Sequence, residues 1–455
     1  MTRQLDLVIR GGTVVTPSGS AQTHLGIAGE RIVAIGEGLS GRREIDATGR
    51  LVLPGVIDVH THMAAPAGGA TSTDDFLTGS RAAAAGGVTT IVDFTVASPG
   101  SNLPGDIECR KRDAEESIID VALHAEVIGW SPGREEEIGR AIAVGVSSFK
   151  FYMAYGSLGQ RSDSGALYQA FRTIAEHDGV AMIHGEDDPI IDALLRRLSA
   201  DEKRSMTALP RSRPSICEGA AISQAAYLAE KTGVRLHVCH ISSALGVEAL
   251  VRGRQSGAQI TGETCPQYLV LTDHLYSQES AEQFSVMPPL RTAEDQEVLW
   301  NALSDRTLSC VATDHCPFNK AHKHLVDSFE DLPYGFPGVE TLLPLLYSEG
   351  VATGRLDLCD IPRLLSEQPA KIFGISHRKG SLEVGADADI VIFDPDKSWT
   401  VAAGSLHMNT DFSPYEGRQI QGAVTATILR GSIVYENERI VGQTGAGQFI
   451  PSIVV

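Results

Sequence analysis

Eight short runs of β-branched and apolar residues, each separated from the next by a longer stretch rich in Ala, Leu and Glu, dominate the middle of the chain. They are Val56 to His60, Thr89 to Phe94, Val121 to Ile128, Ser148 to Met153, Val180 to His184, Leu236 to Ile241, Gln259 to Thr264 and Leu308 to Asp314. Runs this apolar suit strands buried on both faces, and their alternation with helical segments means a parallel α/β sheet. Eight such units predict a TIM (β/α)8 barrel. A doubly wound open sheet is the alternative, but no glycine-rich dinucleotide turn follows the first run.

The flanks read differently. Asp6 to Arg10, Thr13 to Val15 and Gly26 to Ile35 are short strands punctuated by glycine, and the same texture returns in Gly385 to Phe393 and Val424 to Val434. Both chain ends are therefore expected to build one small β-sandwich domain. The expected division is 1–53 for its first part, 54–378 for the barrel, and 379–455 for its second part with the C-terminal tail.

A hydrophobic fraction of 42% over 455 residues can fill both cores. The formal net charge of −19, with no basic block to offset it, repels nucleic acid and anionic lipid, so a small neutral substrate is the expected partner. No uncharged apolar run reaches membrane-spanning length. Met1-Thr2-Arg3-Gln4-Leu5-Asp6 carries charges where a signal peptide needs an apolar stretch, which points to the cytoplasm. The seven cysteines lack paired spacing, and Cys239, Cys265 and Cys310 lie in apolar strand-like runs as small core residues. No disulfides are expected.

The candidate metal ligands fall at or near the C-terminal ends of the eight runs. His60 and His62 end the first, Lys150 lies in the fourth, His184 ends the fifth, His240 the sixth and Asp314 the eighth. In a TIM barrel these ends converge on one rim. The period of an extended strand points His60 and His62 to the same side, where they can share an ion. Alone, a His-x-His pair is more often a solvated or hydrogen-bonded feature. His322 and His324, in the charged stretch Lys320-Ala321-His322-Lys323-His324, are of that kind. His124, His177, His237, His274, His377 and His407 are assigned structural or surface roles.

Lys150 is the odd member, because an ammonium aimed at a cluster of cations is repelled and costly to bury. It can bend outward to solvent, pair with a carboxylate, or react with carbon dioxide to give a carbamate. The carbamate needs a deprotonated amine, which burial and neighbouring metal charge favour. It would lower the charge of a two-metal site by two relative to an ammonium, and its two oxygens could bridge the ions.

With those residues in place the chain resembles the hydantoinase/dihydropyrimidinase group of the cyclic amidohydrolases, within the amidohydrolase superfamily. The resemblance runs through Pro54-Gly55-Val56-Ile57-Asp58-Val59-His60-Thr61-His62-Met63, Asp74-Asp75-Phe76, Ser148-Phe149-Lys150-Phe151-Tyr152-Met153-Ala154-Tyr155, Val238-Cys239-His240-Ile241-Ser242-Ser243, Thr264-Cys265-Pro266-Gln267-Tyr268, Ala312-Thr313-Asp314-His315-Cys316-Pro317 and Asn409 to Gly417. It implies two divalent ions, usually zinc with manganese or cobalt also accepted, bound by His60, His62, His184, His240, Asp314 and a carboxylated Lys150. It also implies a homotetramer or homodimer. The implied reaction is hydrolysis of the cyclic amide of hydantoins or dihydropyrimidines to N-carbamoyl amino acids. Hydroxide attacks the amide carbon, Asp314 carries the proton to the leaving nitrogen, and Tyr155 helps stabilise the oxyanion.

Departures bear on the substrate. Met287-Pro288-Pro289-Leu290-Arg291 replaces a usual Ser-Pro-Pro-Leu-Arg, and Pro333-Tyr334-Gly335 replaces Pro-Asn-Gly. In the group Met287 and Tyr334 stand where the ring is bound, largely through backbone groups. The loop from Met63 to Gly69, with Ala64 and Ala65 beside the metals, is expected to contact the ring substituent. Dihydroorotases carry Arg, and allantoinases generally Asn, where this chain has Ala64. Allantoinase or another cyclic amidohydrolase remains the enzymatic alternative. Non-catalytic dihydropyrimidinase-related scaffolds are the other, although all six ligand positions are filled here.

Overall fold

The computed structural model describes residues 4–97 and 100–454; Met1, Thr2 and Arg3, part of the segment read for targeting, lie outside them. Eight strands form one parallel sheet in sequence order: Val56–Thr61, Val88–Phe94, Asp120–Glu126, Ser148–Tyr152, Val180–His184, Arg235–Val238, Ile260–Thr264 and Cys310–Val311. The sheet closes on itself, since His62 N donates to His315 O (2.8 Å) and His315 N to His60 O (3.2 Å). The result is a TIM barrel. Every residue of the first two strands is buried, as strands covered by helices outside and side chains inside must be.

Local chemistry starts the helices that follow. Asp75 accepts from Thr78 N, Asp163 from Ala166 N, Ser243 from Gly246 N and Thr292 from Asp295 N. Each such cap satisfies an otherwise orphaned helix donor and contributes about 1 kcal/mol.

Two strands stop three residues before their predicted ends. The sixth ends at Val238 and the eighth at Val311, so His240 and Asp314 stand beyond them on turns with φ of 38° and 54°. A left-handed backbone breaks the strand ladder and turns each side chain over the rim. Such conformations are costly for residues with a Cβ and cluster at functional sites. Tyr155 (φ 64°) and Ala64 (φ 47°) share this geometry.

Both termini build the second body. One sheet joins Thr13–Thr16, Gly19–Gln22 and Leu51–Pro54 to Ile390–Thr400, Gln419–Leu429, Ser432–Glu436 and Arg439–Ile440; the other contains Leu5–Arg10, Leu25–Ala28, Arg31–Ile35 and Gly41–Asp46. They bury a common core that includes Ile9, Leu25, Ile27, Val52, Ile390 and Ile428. The late strand read from Gly385 begins only at Ile390, because Asp387 and Asp389 are engaged by Lys379 (2.9 and 2.6 Å). Among the described residues no helix is long and apolar enough to cross a membrane. All seven cysteines are free.

Candidate metal centre

The cavity at the C-terminal rim has a volume of about 660 Å³, within the usual range for small-molecule sites. His60, His62, Lys150, Tyr155, His184, His240, Met287, Asp314, Tyr334 and Ala65 all line it, although they come from widely separated parts of the chain. Ala64 does not; it stands on the exposed shoulder of its loop. Pro66–Ala67 pairs with Ala70–Thr71 as a tiny hairpin over one side of the cavity.

His60 Nε2 and His62 Nε2 both approach Asp314 Oδ1, at 3.3 and 3.2 Å. His60, His240 and Asp314 each present a ligand atom within 4.8 Å of the others. His184 Nδ1 faces His240 Nε2 at 3.1 Å. The remaining nitrogen of His60, Nδ1, donates to Glu263 Oε1 (2.5 Å), and His184 Nε2 donates to Glu186 Oε2 (2.8 Å). Each carboxylate thereby fixes a tautomer whose free nitrogen points at the cavity. His240 Nδ1 is buried without a partner among the described residues.

Burial lowers the pKa of His60, His184 and His240. They are held neutral, the form that binds metal. Asp314 is lowered as well, which leaves it charged: burial alone would raise it, but His60, His62 and His240 hold it well below the usual carboxylate range. Glu186, also raised by burial, is brought down to about 2 by Arg213 and His184. Neutral imidazoles around an ionised carboxylate, with ring nitrogens facing one another, are the donor set a divalent cation requires. They fit a metal.

Lys150 is 1% exposed, so it does not bend to solvent. Its Nζ lies 5.0 Å from the Phe94 ring and 5.4 Å from the Tyr152 ring. Tyr155 packs its ring 4.8 Å from that of His184, beneath the Arg213 guanidinium at 5.3 Å. Burial raises its pKa, leaving a neutral phenol.

Supporting contacts aim this rim. Asp58 accepts from Thr313 N (3.0 Å) and Thr313 Oγ1 (2.5 Å), which sets the turn carrying Asp314; burial pushes its carboxyl up to about 6. His315, next to Asp314, bonds Asp74 (3.0 Å) and accepts from Gly338 N (3.0 Å). Sequence reasoning did not single out Glu263, Glu186 or Arg213. A carboxylate inside the seventh strand, which supplies no ligand, was the available signal for Glu263. The buried group Asp120, Asp387 and Asp389 already holds Lys379, with Arg430 on Asp120, so internal cations neutralise it. His124 and His237 are buried structural groups bonded to Ser148 and Glu263.

A closed parallel barrel with neutral imidazoles and ionised carboxylates converging on its C-terminal cavity defines a metal-dependent hydrolase. The amidohydrolase family model matches residues 51–434, and the chain belongs to that family. It is 38% identical over 451 residues to a D-hydantoinase of Geobacillus stearothermophilus, covering 97% of this chain and 96% of that one. A D-phenylhydantoinase of Escherichia coli is 36% identical, with 98% and 97% covered. The crystal structure of a dihydropyrimidinase from Brevibacillus agri NCHU1002 superposes with a TM-score of 0.96 at 36% identity, covering 98% of each chain.

Proposed function

We propose that this chain opens hydantoin or dihydropyrimidine rings, adding water across the cyclic amide bond to release N-carbamoyl amino acids. The observation that carries the reading is the meeting of His60, His62, His184, His240 and Asp314 around buried Lys150 on one cavity wall. The kinship of the chain to enzymes named D-hydantoinase and D-phenylhydantoinase supports the choice of ring.

His60, His62, His184, His240 and Asp314 would hold two divalent ions, zinc in the first instance, with Lys150 as the shared ligand. For that role the deprotonated Nζ forms a bond to the carbon of carbon dioxide and releases a proton, giving N6-carboxylysine. Bound ions would supply Lewis acidity and a nucleophilic water of lowered pKa at neutral pH. Asp314, held ionised, takes the proton of the attacking water and delivers it to the ring nitrogen as the C–N bond breaks. Tyr155, held neutral, donates its O–H to the oxygen that gains charge. Backbone groups at Met287 and Tyr334 would hold the ring, and Ala65 would leave room for its substituent.

The test is turnover of 5-phenylhydantoin, dihydrouracil, allantoin and dihydroorotate by the metal-loaded protein. Ring opening of the first two is expected. Preference for allantoin or dihydroorotate would replace this reading, and a pure, metal-loaded protein inert on all four would make the chain a scaffold.

A further inference from the structure

Lys323 sits between exposed His322 and His324, yet is itself only 1% exposed. Its Nζ donates to three carbonyl oxygens: Gln283 (3.3 Å), Ser285 (2.8 Å) and Gly335 (2.6 Å). The rings of Phe336 and Phe318 lie 4.8 and 6.0 Å from it. No carboxylate among the described residues pairs with it. Burial pushes its pKa down to about 7, opposed only by the nearby Cys316 thiol. An ammonium buried without a counter-charge is expensive, and here its compensation is the three carbonyl bonds.

Those carbonyls belong to two segments that wall the cavity. Val286 and Met287 come from one, Tyr334 and Gly335 from the other. The segments are joined by Gly335 N to Ser285 O (3.1 Å) and by Ser285 Oγ to Pro333 O (2.9 Å). A Cβ on Gly335 would stand 2.5 Å from Cys316 O, so the backbone itself forms this wall. The hairpin loop reaches the same place, since a Cβ on Gly68 would meet Pro333 Cα at 2.7 Å.

We propose that Lys323 is a positioning residue for ring recognition, a cationic tie that holds the backbone at Met287 and at Tyr334 in register with each other. The inference rests on the ring-hydrolysis reading for its substrate, but the tie itself does not. Losing the ammonium leaves Gly335 O and Gln283 O without this donor while Ser285 O keeps the Gly335 amide. The wall then slackens where it meets the ring, while none of the lost bonds belongs to a metal ligand.

Lys323→Met keeps an unbranched stem and removes the donor. In the metal-loaded enzyme it should keep its metal content, raise KM for 5-phenylhydantoin and dihydrouracil roughly tenfold or more, and lower kcat less. Amide hydrogen exchange at 285–287 and 334–336 should quicken. Lys323→Gln, which gives up the charge and shortens the side chain but keeps a neutral donor, should move both readouts the same way by less, and decides the matter if Lys323→Met does not fold. An unchanged KM in Lys323→Met, or unchanged exchange in both variants, overturns the proposal. A wild-type chain that opens no ring would sink the functional reading instead, and exchange would still decide whether Lys323 ties the two segments.

Discussion

The Nδ1 of His184 and the Nε2 of His240 face one another across 3.1 Å, with the second nitrogen of His184 already committed to Glu186. Only one of two facing nitrogens can donate to the other, whereas a cation takes both lone pairs. Removing metal with a chelator should therefore abolish turnover and lower the Tm, because the ions bind the folded chain and not the unfolded one. Zinc, manganese or cobalt should restore both. Calorimetry with and without metal checks this; an unchanged Tm would mean the ions are not part of the fold's support.

Glu263 bonds His60 Nδ1 and His237 Nε2 from inside the barrel, at 2.5 and 3.1 Å. Glu263→Gln keeps the size but removes the charge that fixes the His60 tautomer. Metal affinity should fall about 10- to 100-fold, as when a partner behind a metal-binding histidine is lost. Competition with a chromophoric chelator measures it, and wild-type affinity would make Glu263 a packing residue.

Tyr155→Phe keeps the ring against His184 and Arg213 and removes one donor. A fall in kcat of roughly 10²-fold with metal retained is expected. Asp314→Asn should be worse, since on the proposed mechanism it removes a ligand and the proton carrier together. Unchanged kcat in Tyr155→Phe would leave the phenol a structural role.

The wall formed by Ala65, Pro66 and Ala67 offers space and no charged partner. Arylhydantoins should react faster than unsubstituted hydantoin, and dihydroorotate should barely react, because its carboxylate would be desolvated without compensation. Ala65→Phe should depress kcat/KM for 5-phenylhydantoin more than for dihydrouracil. Equal losses would move the substituent pocket elsewhere.

The parts that were legible in the sequence are those set by local pattern. The fifth strand, Val180–His184, is where its apolar run placed it. His60 and His62 reach one carboxylate oxygen, as the strand period predicts. What sequence could not supply is tertiary. His240 and Asp314 leave their strands through left-handed turns that no propensity announces. Glu263 and Glu186 gain their role only from the histidines beside them in space. Nothing in the charged stretch around Lys323 announces burial, yet the chain folds it inward onto three carbonyls. Ala64, counted with the substrate wall, turns outward at φ 47° while Ala65 faces the cavity.

A two-metal site built on Lys150 underlies the proposed chemistry, and the divalent-ion content of Lys150→Ala beside the wild type is its decisive test. Wild type should carry close to two ions per chain and the variant should lose most of its metal and its activity, with a short carboxylic acid partly restoring turnover by standing in for the carbamate. A Lys150→Ala protein with full metal content and normal rates would contradict the account.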